Sequence, residues 1–143
     1  MGKILCPTRG GEASYRTQDA AIAMAKERGD ELLFLYVVDL DFLSKLDRAV
    51  RPDVVAQEMM HMGEFLLTMA QERAREQGVE AGYVLRQGKV RDEVKAAAVE
   101  EGATMVVLGR STGDEPESAF APTGLLQLAE EIKAETGTEA RVV

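Results

Sequence analysis

Two apolar segments of this 143-residue chain run directly into glycine-containing turns. The first segment, residues 3–7, leads into the turn 8–11, and the second, residues 105–108, leads into the turn 109–113. Glycines in such turns let main-chain N–H groups approach an anion closely. Ligands of open α/β sheets bind beyond the carboxyl ends of the strands. The two turns therefore indicate a binding site for a small, anionic ligand.

Residues that carry out hydrolytic or redox chemistry do not form a recognisable arrangement. His61 is the single histidine, so it cannot form a metal-binding pair, and Ser14, Ser111 and Thr123 have no base at the spacing of a catalytic triad. We interpret His61 as a surface residue. Cys6 is the single cysteine; it is interpreted as a small buried hydrophobe, and it fits a protein of the reducing cytoplasm. We predict no catalytic residues and no metal site.

The charge of the chain excludes two classes of partner. Its 17 basic and 25 acidic residues give a formal net charge of −8, and no basic cluster is present that could hold nucleic acid or an anionic membrane surface. No apolar run reaches the roughly 18 residues of a membrane span, so we predict no membrane insertion. The length and the hydrophobic content of 45% predict one globular domain over residues 1–143.

Strand-like and helix-like segments alternate along the chain. The apolar patterns predict strands at 3–7, 31–38, 80–86, 103–108 and 138–143, and helices at 13–28, 54–77, 90–101 and 124–136. The run 31–38 is apolar throughout, which is typical of a parallel strand that is buried on both faces. The alternation predicts an α/β fold, namely an open, doubly wound, parallel five-stranded sheet with helices on both faces.

The spacing of apolar residues assigns an inward face to each predicted helix. These faces comprise Thr17, Ala21, Met24 and Ala25 in the first helix, Val55, Met59, Met62, Leu66 and Met69 in the second, Val90, Val94, Ala97 and Ala98 in the third, and Leu125, Leu128, Ala129 and Ile132 in the fourth. We interpret the methionines as core packing rather than as ligands of a metal.

A family resemblance rests on several segments taken in order: residues 3–8 followed by Gly10, Glu12, Ala13 and Ser14, then residues 35–39, Gly88, 90–101 and 102–109. With these segments the chain resembles the universal stress protein family over its whole length. The resemblance implies the strand order 3-2-1-4-5, which brings the first and fourth strands together at one crevice. It also implies a homodimer that pairs the C-terminal edge strand across a two-fold axis.

Many members of that family bind ATP in this crevice. Their pattern is a glycine after the fourth strand, a second glycine three residues later, then nine residues, and then glycine followed by serine or threonine at a helix start. This chain keeps the first glycine as Gly109. Without a gap, Thr112 and Pro122 occupy the positions of the other two glycines, and Thr123 occupies the hydroxyl position. Pro122 has no N–H to donate to a phosphate.

A shift of one residue does not repair the pattern. It restores Gly113, but it places Thr123 at the third glycine and Gly124 at the hydroxyl position. The three carboxylates within residues 114–117 would repel a triphosphate unless a divalent cation intervened. Arg9 stands where relatives usually carry an aspartate, which reverses a charge at the site. The resemblance therefore implies a degenerate site, and the glycines also fit turns that bind nothing.

The candidate nucleotide-binding residues are Pro7, Thr8, Arg9, Val38, Leu108, Gly109, Ser111, Gly113, Thr123 and Gly124. From the resemblance we expect a non-enzymatic stress-response or regulatory module with a degenerate nucleotide-binding crevice. One alternative is a family member that binds ATP or AMP, with or without Mg, through an altered phosphate loop. The second alternative is an enzyme that hydrolyses or transfers nucleotides on the same fold.

Overall fold

The computed structural model describes residues 2–9, 12–39, 52–110 and 122–143. Strands and helices alternate in these ranges, and each boundary lies within two residues of its predicted position. The strands are β1 (Lys3–Pro7), β2 (Glu31–Asp39), β3 (Ala81–Gly88), β4 (Met105–Leu108) and β5 (Glu139–Val142). The helices are α1 (Glu12–Arg28), α2 (Pro52–Glu76), α3 (Val90–Glu100) and α4 (Pro122–Thr136).

The five strands form one parallel sheet in the order β3-β2-β1-β4-β5. The predicted fold class and strand order are therefore confirmed. β1 lies at the centre, and its Ile4, Leu5 and Cys6 are fully buried. Central parallel strands carry helices on both faces, which explains why their side chains are apolar regardless of the direction in which they point.

Two helical layers cover the sheet and enclose separate cores. One core joins α1 and α2 to the sheet around Ile22, Phe34 and Leu67. The other joins α3 and α4 to the opposite face around Leu35 and Leu128. Because successive crossovers place helices on both faces, the sheet is doubly wound, as the sequence predicts.

The predicted inward faces of α1, α3 and α4 are confirmed, because their apolar residues lie in or against the two cores. The prediction for α2 was wrong in part. Met62 and Met69 are exposed, whereas the fully buried positions of α2 include Leu67, Ala70 and Ala74. The helix is therefore rotated relative to the predicted face, and small residues form much of the side that contacts the sheet.

Charged side chains connect the two helices within each layer. Arg73 of α2 binds Asp19 of α1 through two hydrogen bonds of 2.7 and 2.8 Å. In the other layer, Arg91 of α3 donates to Glu131 of α4 at 2.7 Å, and Lys95 reaches the same carboxylate at 3.4 Å. These contacts fix the relative positions of helices whose apolar sides pack on the sheet.

Glycines follow the ends of two of the helices. Gly29 after α1 and Gly102 after α3 have φ angles of 68° and 66°, a conformation that glycine adopts without steric cost. Among the described residues, no helix is both long enough and apolar enough to cross a bilayer.

Candidate functional site

The carboxyl ends of β1 and β4 form the switch point of the sheet. β1 pairs with β2 on one side and with β4 on the other. The helix that follows β1 packs in the α1/α2 layer, whereas the next described helix after β4 packs in the α3/α4 layer. The two connections therefore diverge to opposite faces, which leaves a crevice of the kind in which open α/β sheets bind ligands.

The register of the two strands brings the predicted turns to one level. Ile4 pairs with Met105 and Leu5 with Val106. Continued toward the carboxyl ends, this register sets Thr8 level with Gly109. The structure thus brings together the first residues of the two turns that the sequence singles out.

Hydroxyl groups close the turn that follows β1. The Thr8 main-chain N–H donates to the Leu35 carbonyl at 2.8 Å, so this residue extends the pairing with β2. The Arg9 main-chain N–H donates to Ser14 Oγ at 3.3 Å. Gln18 Nε2 donates to Thr8 Oγ1 at 2.8 Å, and both of these side chains are buried. Arg9 is exposed at the lip of the crevice.

Gly109 has a steric role that does not depend on a ligand. A Cβ atom at this position would overlap Thr17 Oγ1 and would lie 2.7 Å from Thr17 Cβ. Its φ angle is not in the positive region, unlike those of Gly29 and Gly102. Glycine is therefore needed here because α1 packs directly against the end of β4, and not because of an unusual backbone conformation.

The first turn of α4 contains two further candidate residues. Pro122 begins the helix, which fits the preference of proline for the first helical position. Thr123 and Gly124 follow in the same turn, where main-chain N–H groups are available to an anion. The Gly124 carbonyl accepts a hydrogen bond of 2.9 Å from Arg91, which also binds Glu131. Arg91 thus anchors the start of α4 to α3.

The remaining candidate residues have different positions. Pro7, Val38 and Leu108 are buried, so their side chains do not reach solvent in the crevice. Ser111 and Gly113 lie outside the described residues, as do residues 10–11, Thr112 and the acidic run 114–117. The side chain of Thr123 also lies outside the described set.

The reactive side chains lie away from the crevice or are buried. Burial raises the pKa of the Cys6 thiol to about 12, so the thiol is a poor nucleophile at neutral pH. His61 is exposed on α2, as predicted. Across the described ranges, no group of three or more His, Cys, Asp or Glu side chains is arranged to hold a metal ion. The described candidate residues include the Arg9 guanidinium and the main-chain N–H groups in the first turn of α4, and both kinds of group suit the binding of an anion.

Sequence reasoning placed Thr17 on the inward face of α1 but assigned it no role at the site, and it missed Gln18 and Arg91. Thr17 and Gln18 are polar, yet both are buried on α1. A pair of polar residues next to the apolar stripe of a helix that follows the first strand is a signal that could have identified them. Arg91 carried no such signal, because its contact with Gly124 joins residues that are 33 positions apart.

The model of the universal stress protein family matches residues 1–121. The universal stress protein YxiE from Bacillus subtilis (strain 168) is 30% identical to this chain over 116 residues, which cover 76% of the chain and 78% of the relative. The similarity therefore includes both strand ends that border the crevice.

Solved structures share the fold at low sequence identity. A universal stress protein in complex with cAMP superposes with a TM-score of 0.68 at 18% identity, covering 99% of this chain and 96% of the other. A universal stress protein from Archaeoglobus fulgidus in complex with dAMP gives a TM-score of 0.64 at 15% identity, with coverage of 99% and 96%. At these identities the likeness establishes the fold alone.

Proposed function

The chain belongs to the universal stress protein family, and from this premise we propose that it is a non-enzymatic regulatory module of the stress response that binds an adenine nucleotide weakly. The binding site is the crevice between the ends of β1 and β4. One observation supports the proposal: β1 and β4 are parallel neighbours that pair Ile4 with Met105 and Leu5 with Val106, and this register, continued to the strand ends, sets Thr8 level with Gly109. Two relatives of the same fold are described as complexes with cAMP and dAMP.

Three features of this chain support weak binding. Pro122 removes one N–H from the first turn of α4. The acidic residues within 114–117 oppose a triphosphate. Thr8 is buried and its hydroxyl oxygen accepts a hydrogen bond from Gln18, so little of its side chain is open to a ligand. A monophosphate carries less charge than a triphosphate, so AMP meets less repulsion than ATP when no divalent cation is present.

Arg9 is the residue that we expect to hold the phosphate. It stands at the lip of the crevice, and its guanidinium can donate two parallel hydrogen bonds to phosphate oxygens. A structural alternative is that Arg9 pairs with Glu12 at the surface. The two roles predict different effects of Arg9→Ala, because only the first makes the substitution weaken nucleotide binding.

Calorimetry with ATP, ADP and AMP, each with and without magnesium, tests the proposal. We expect dissociation constants weaker than micromolar without metal, which corresponds to less than about 8 kcal/mol of binding free energy. Arg9→Ala should weaken the binding of AMP, whereas Arg28→Ala, at the exposed end of α1, should not. Micromolar or tighter binding of ATP without metal would contradict the degenerate site, and steady ATP turnover above the blank would contradict the non-enzymatic role.

The proposed module works as a homodimer in the cytoplasm. β5 pairs with β4 and lies at one edge of the sheet, so its outer N–H and C=O groups are available to a second chain. A two-fold axis along this edge would pair β5 with its copy. Deleting residues 141–143 should shift the protein toward monomer in sedimentation. A deletion variant that stays dimeric at low micromolar concentration would locate the contact elsewhere.

A further inference from the structure

Arg91 links the beginning of α3 to the beginning of α4. Its Nη2 donates to the Gly124 carbonyl at 2.9 Å, and its Nη1 donates to Glu131 Oε2 at 2.7 Å. Gly124 and Glu131 are seven residues apart, so they lie on the same side of α4, and the Glu131 side chain tilts back toward the start of the helix. One planar guanidinium therefore holds α4 at a main-chain position and at a side-chain position.

This link lies at the edge of the sheet that contains the crevice. α3 follows β3 and α4 follows β4, and both strands belong to the parallel sheet. Helices that follow parallel strands begin beyond the carboxyl ends of those strands, where open α/β sheets bind ligands. Arg91 is the second residue of α3, so it acts at the same edge of the sheet as the two glycine-containing turns.

The first turn of α4 has little local support. It contains Pro122, Thr123 and Gly124 and no acidic residue. Proline suits the first helical position, but glycine disfavours the helix, and a carboxylate here would have stabilised the turn through the helix dipole. The order of the turn therefore depends on contacts with the rest of the protein. Leu125 packs in the core directly after it, and Arg91 supplies a contact to its main chain.

The main-chain groups of this turn are those that a phosphate would use. The N–H groups of the first helical turn have no acceptor within the helix. The Gly124 carbonyl and the Leu125 N–H belong to one peptide group, so a cation that donates to the carbonyl polarises the N–H toward an anion. Because Pro122 has no N–H, binding depends on the remaining donors of the turn keeping their positions.

We propose that Arg91 is a positioning residue for the nucleotide site. It fixes the first turn of α4 and so orients the main-chain N–H groups that would hold the phosphate. This role rests on the proposed function of the crevice. In this role Arg91 acts through α4 rather than by contact with the ligand.

A role in helix packing alone is the alternative, and Lys95 distinguishes the two roles. Lys95 Nζ lies 3.4 Å from Glu131 and 2.8 Å from Glu135, so it joins the same two helices one turn further along. The side chain of Lys95 is 18% exposed and that of Arg91 is 31% exposed, so Lys95 is at least as well placed to support packing. Both carboxylates lie beyond the first turn of α4. Loss of packing should therefore appear in variants of both residues, whereas loss of the positioned turn should appear only in variants of Arg91.

Amide hydrogen exchange of the ligand-free chain tests whether Arg91 orders the turn. Within α4, the N–H groups of residues 126–128 donate to the carbonyls of residues 122–124, so fraying of the first turn exposes these amides. Arg91→Met removes both hydrogen bonds of the guanidinium, and it should raise the three exchange rates about tenfold. Lys95→Met is the matched control and should leave them close to the wild-type rates. Circular dichroism should show that both variants are folded.

Titration with AMP, followed by NMR, tests the effect on binding. Arg91→Met should weaken AMP binding by at least about threefold, because only molecules with an ordered turn bind well and the Leu125 N–H loses its polarisation. Lys95→Met should bind AMP like the wild type. Arg91→Lys is a milder variant that keeps the charge but loses the fork that reaches both Gly124 and Glu131. It should also show faster exchange and weaker binding than the wild type.

Three results would overturn the positioning role. The first is equal exchange at residues 126–128 in the wild type and Arg91→Met, and the second is an equal loss of AMP affinity in Arg91→Met and Lys95→Met. The third is wild-type affinity in Arg91→Lys despite faster exchange, which would show that charge alone acts. Failure of the proposed function gives a different result, because the wild type itself would then not bind AMP and Arg91 would serve packing alone.

Discussion

The two helical layers each contain two helices packed on the sheet, but they differ in how much apolar helix surface they leave exposed. In the α3/α4 layer, the predicted apolar stripes face the sheet, and the exposed apolar residues Val99 and Leu126 stand on separate helices. In the α1/α2 layer, α2 buries one apolar side and exposes another. The difference teaches that an apolar stripe on a helix at the edge of a sheet does not by itself show which side faces the core.

The packing at the sheet also differs between the layers. α2 approaches the sheet through small residues: a Cβ at Gly63 would lie 2.6 Å from the ring of Tyr36 and 2.9 Å from Leu85. α4 instead inserts Leu125, Leu128 and Ile132 into its core. The large side chains of α2 are consequently distributed over more of its circumference. Three substitutions test how each layer is held.

Gly109→Ala should have the largest effect, because the new Cβ overlaps Thr17 of the α1/α2 layer. Overpacking of this kind costs about 3 kcal/mol of unfolding free energy. Thr17→Gly should cost about 0.5 kcal/mol through helix propensity, yet it should make Gly109→Ala less damaging. Urea unfolding of the two single variants and the double variant measures this coupling. Additive effects would show that the contact is not tight.

In the α3/α4 layer, Arg86→Ala should lower the free energy of unfolding more than the removal of any other charge. Arg86 of β3 donates to Glu93 at 2.8 Å and to Glu100 at 2.6 Å, and its side chain is only 19% exposed. Removing it leaves the largely buried Glu93 without this partner, which should cost about 2 kcal/mol. Glu100→Gln, at the exposed contact, is the control and should cost less. Equal losses in urea unfolding would contradict a special role for the buried contact.

Asp19→Asn should have the smallest effect, because Asp19 and Arg73 are 43% and 34% exposed. We expect a loss of about 0.5 kcal/mol at pH 7. The hydrogen bond from Arg73 lowers the pKa of Asp19 in the folded protein. The stabilisation is therefore present above the unfolded pKa of about 3.9 and disappears as the pH falls through the lower folded value.

Urea midpoints of the wild type and Asp19→Asn, measured from pH 7 to pH 2, check this sign. The two midpoints should converge at the acidic end. A difference that persists at pH 2 would mean that the substitution acts through packing, for example through Tyr15, whose ring lies 4.6 Å from the Arg73 guanidinium carbon. A loss as large as that of Arg86→Ala would remove the contrast between the layers.

The sequence predicted the elements because strand and helix periodicities differ strongly and glycines mark the helix ends, whereas the strand order followed from the resemblance to the universal stress protein family. It failed at α2 for a physical reason. The predicted face weighted large apolar residues, whereas Gly63, Ala70 and Ala74 form much of the buried side. Spacing shows that a face is apolar, but it cannot distinguish a face that meets the sheet from one that stays exposed.

At the crevice, the two strand ends could be located from the sequence, but the contacts that Thr17 and Gln18 of α1 make with them could not. The turn glycines could be identified because they follow apolar strands directly. The close approach of Thr17 to Gly109 depends on where α1 rests on the sheet, and residues 92 positions apart carry no local sign of it. Gln18 was missed because its partner Thr8 lies in the turn before α1, ten positions away, and the helix pattern gives no sign of that contact.

The central strand contains the single thiol of the chain, so the exposure of Cys6 to solvent reports the opening of the α1/α2 layer. Because Cys6 is fully buried in the core beneath α1 and α2, no reagent reaches its thiol until that layer opens. Thiol-specific labelling of the unmodified protein would therefore report the rate of cooperative opening without any engineered probe. Peroxide should likewise leave Cys6 unmodified in the folded chain, so oxidation of this thiol would occur only after the chain opens.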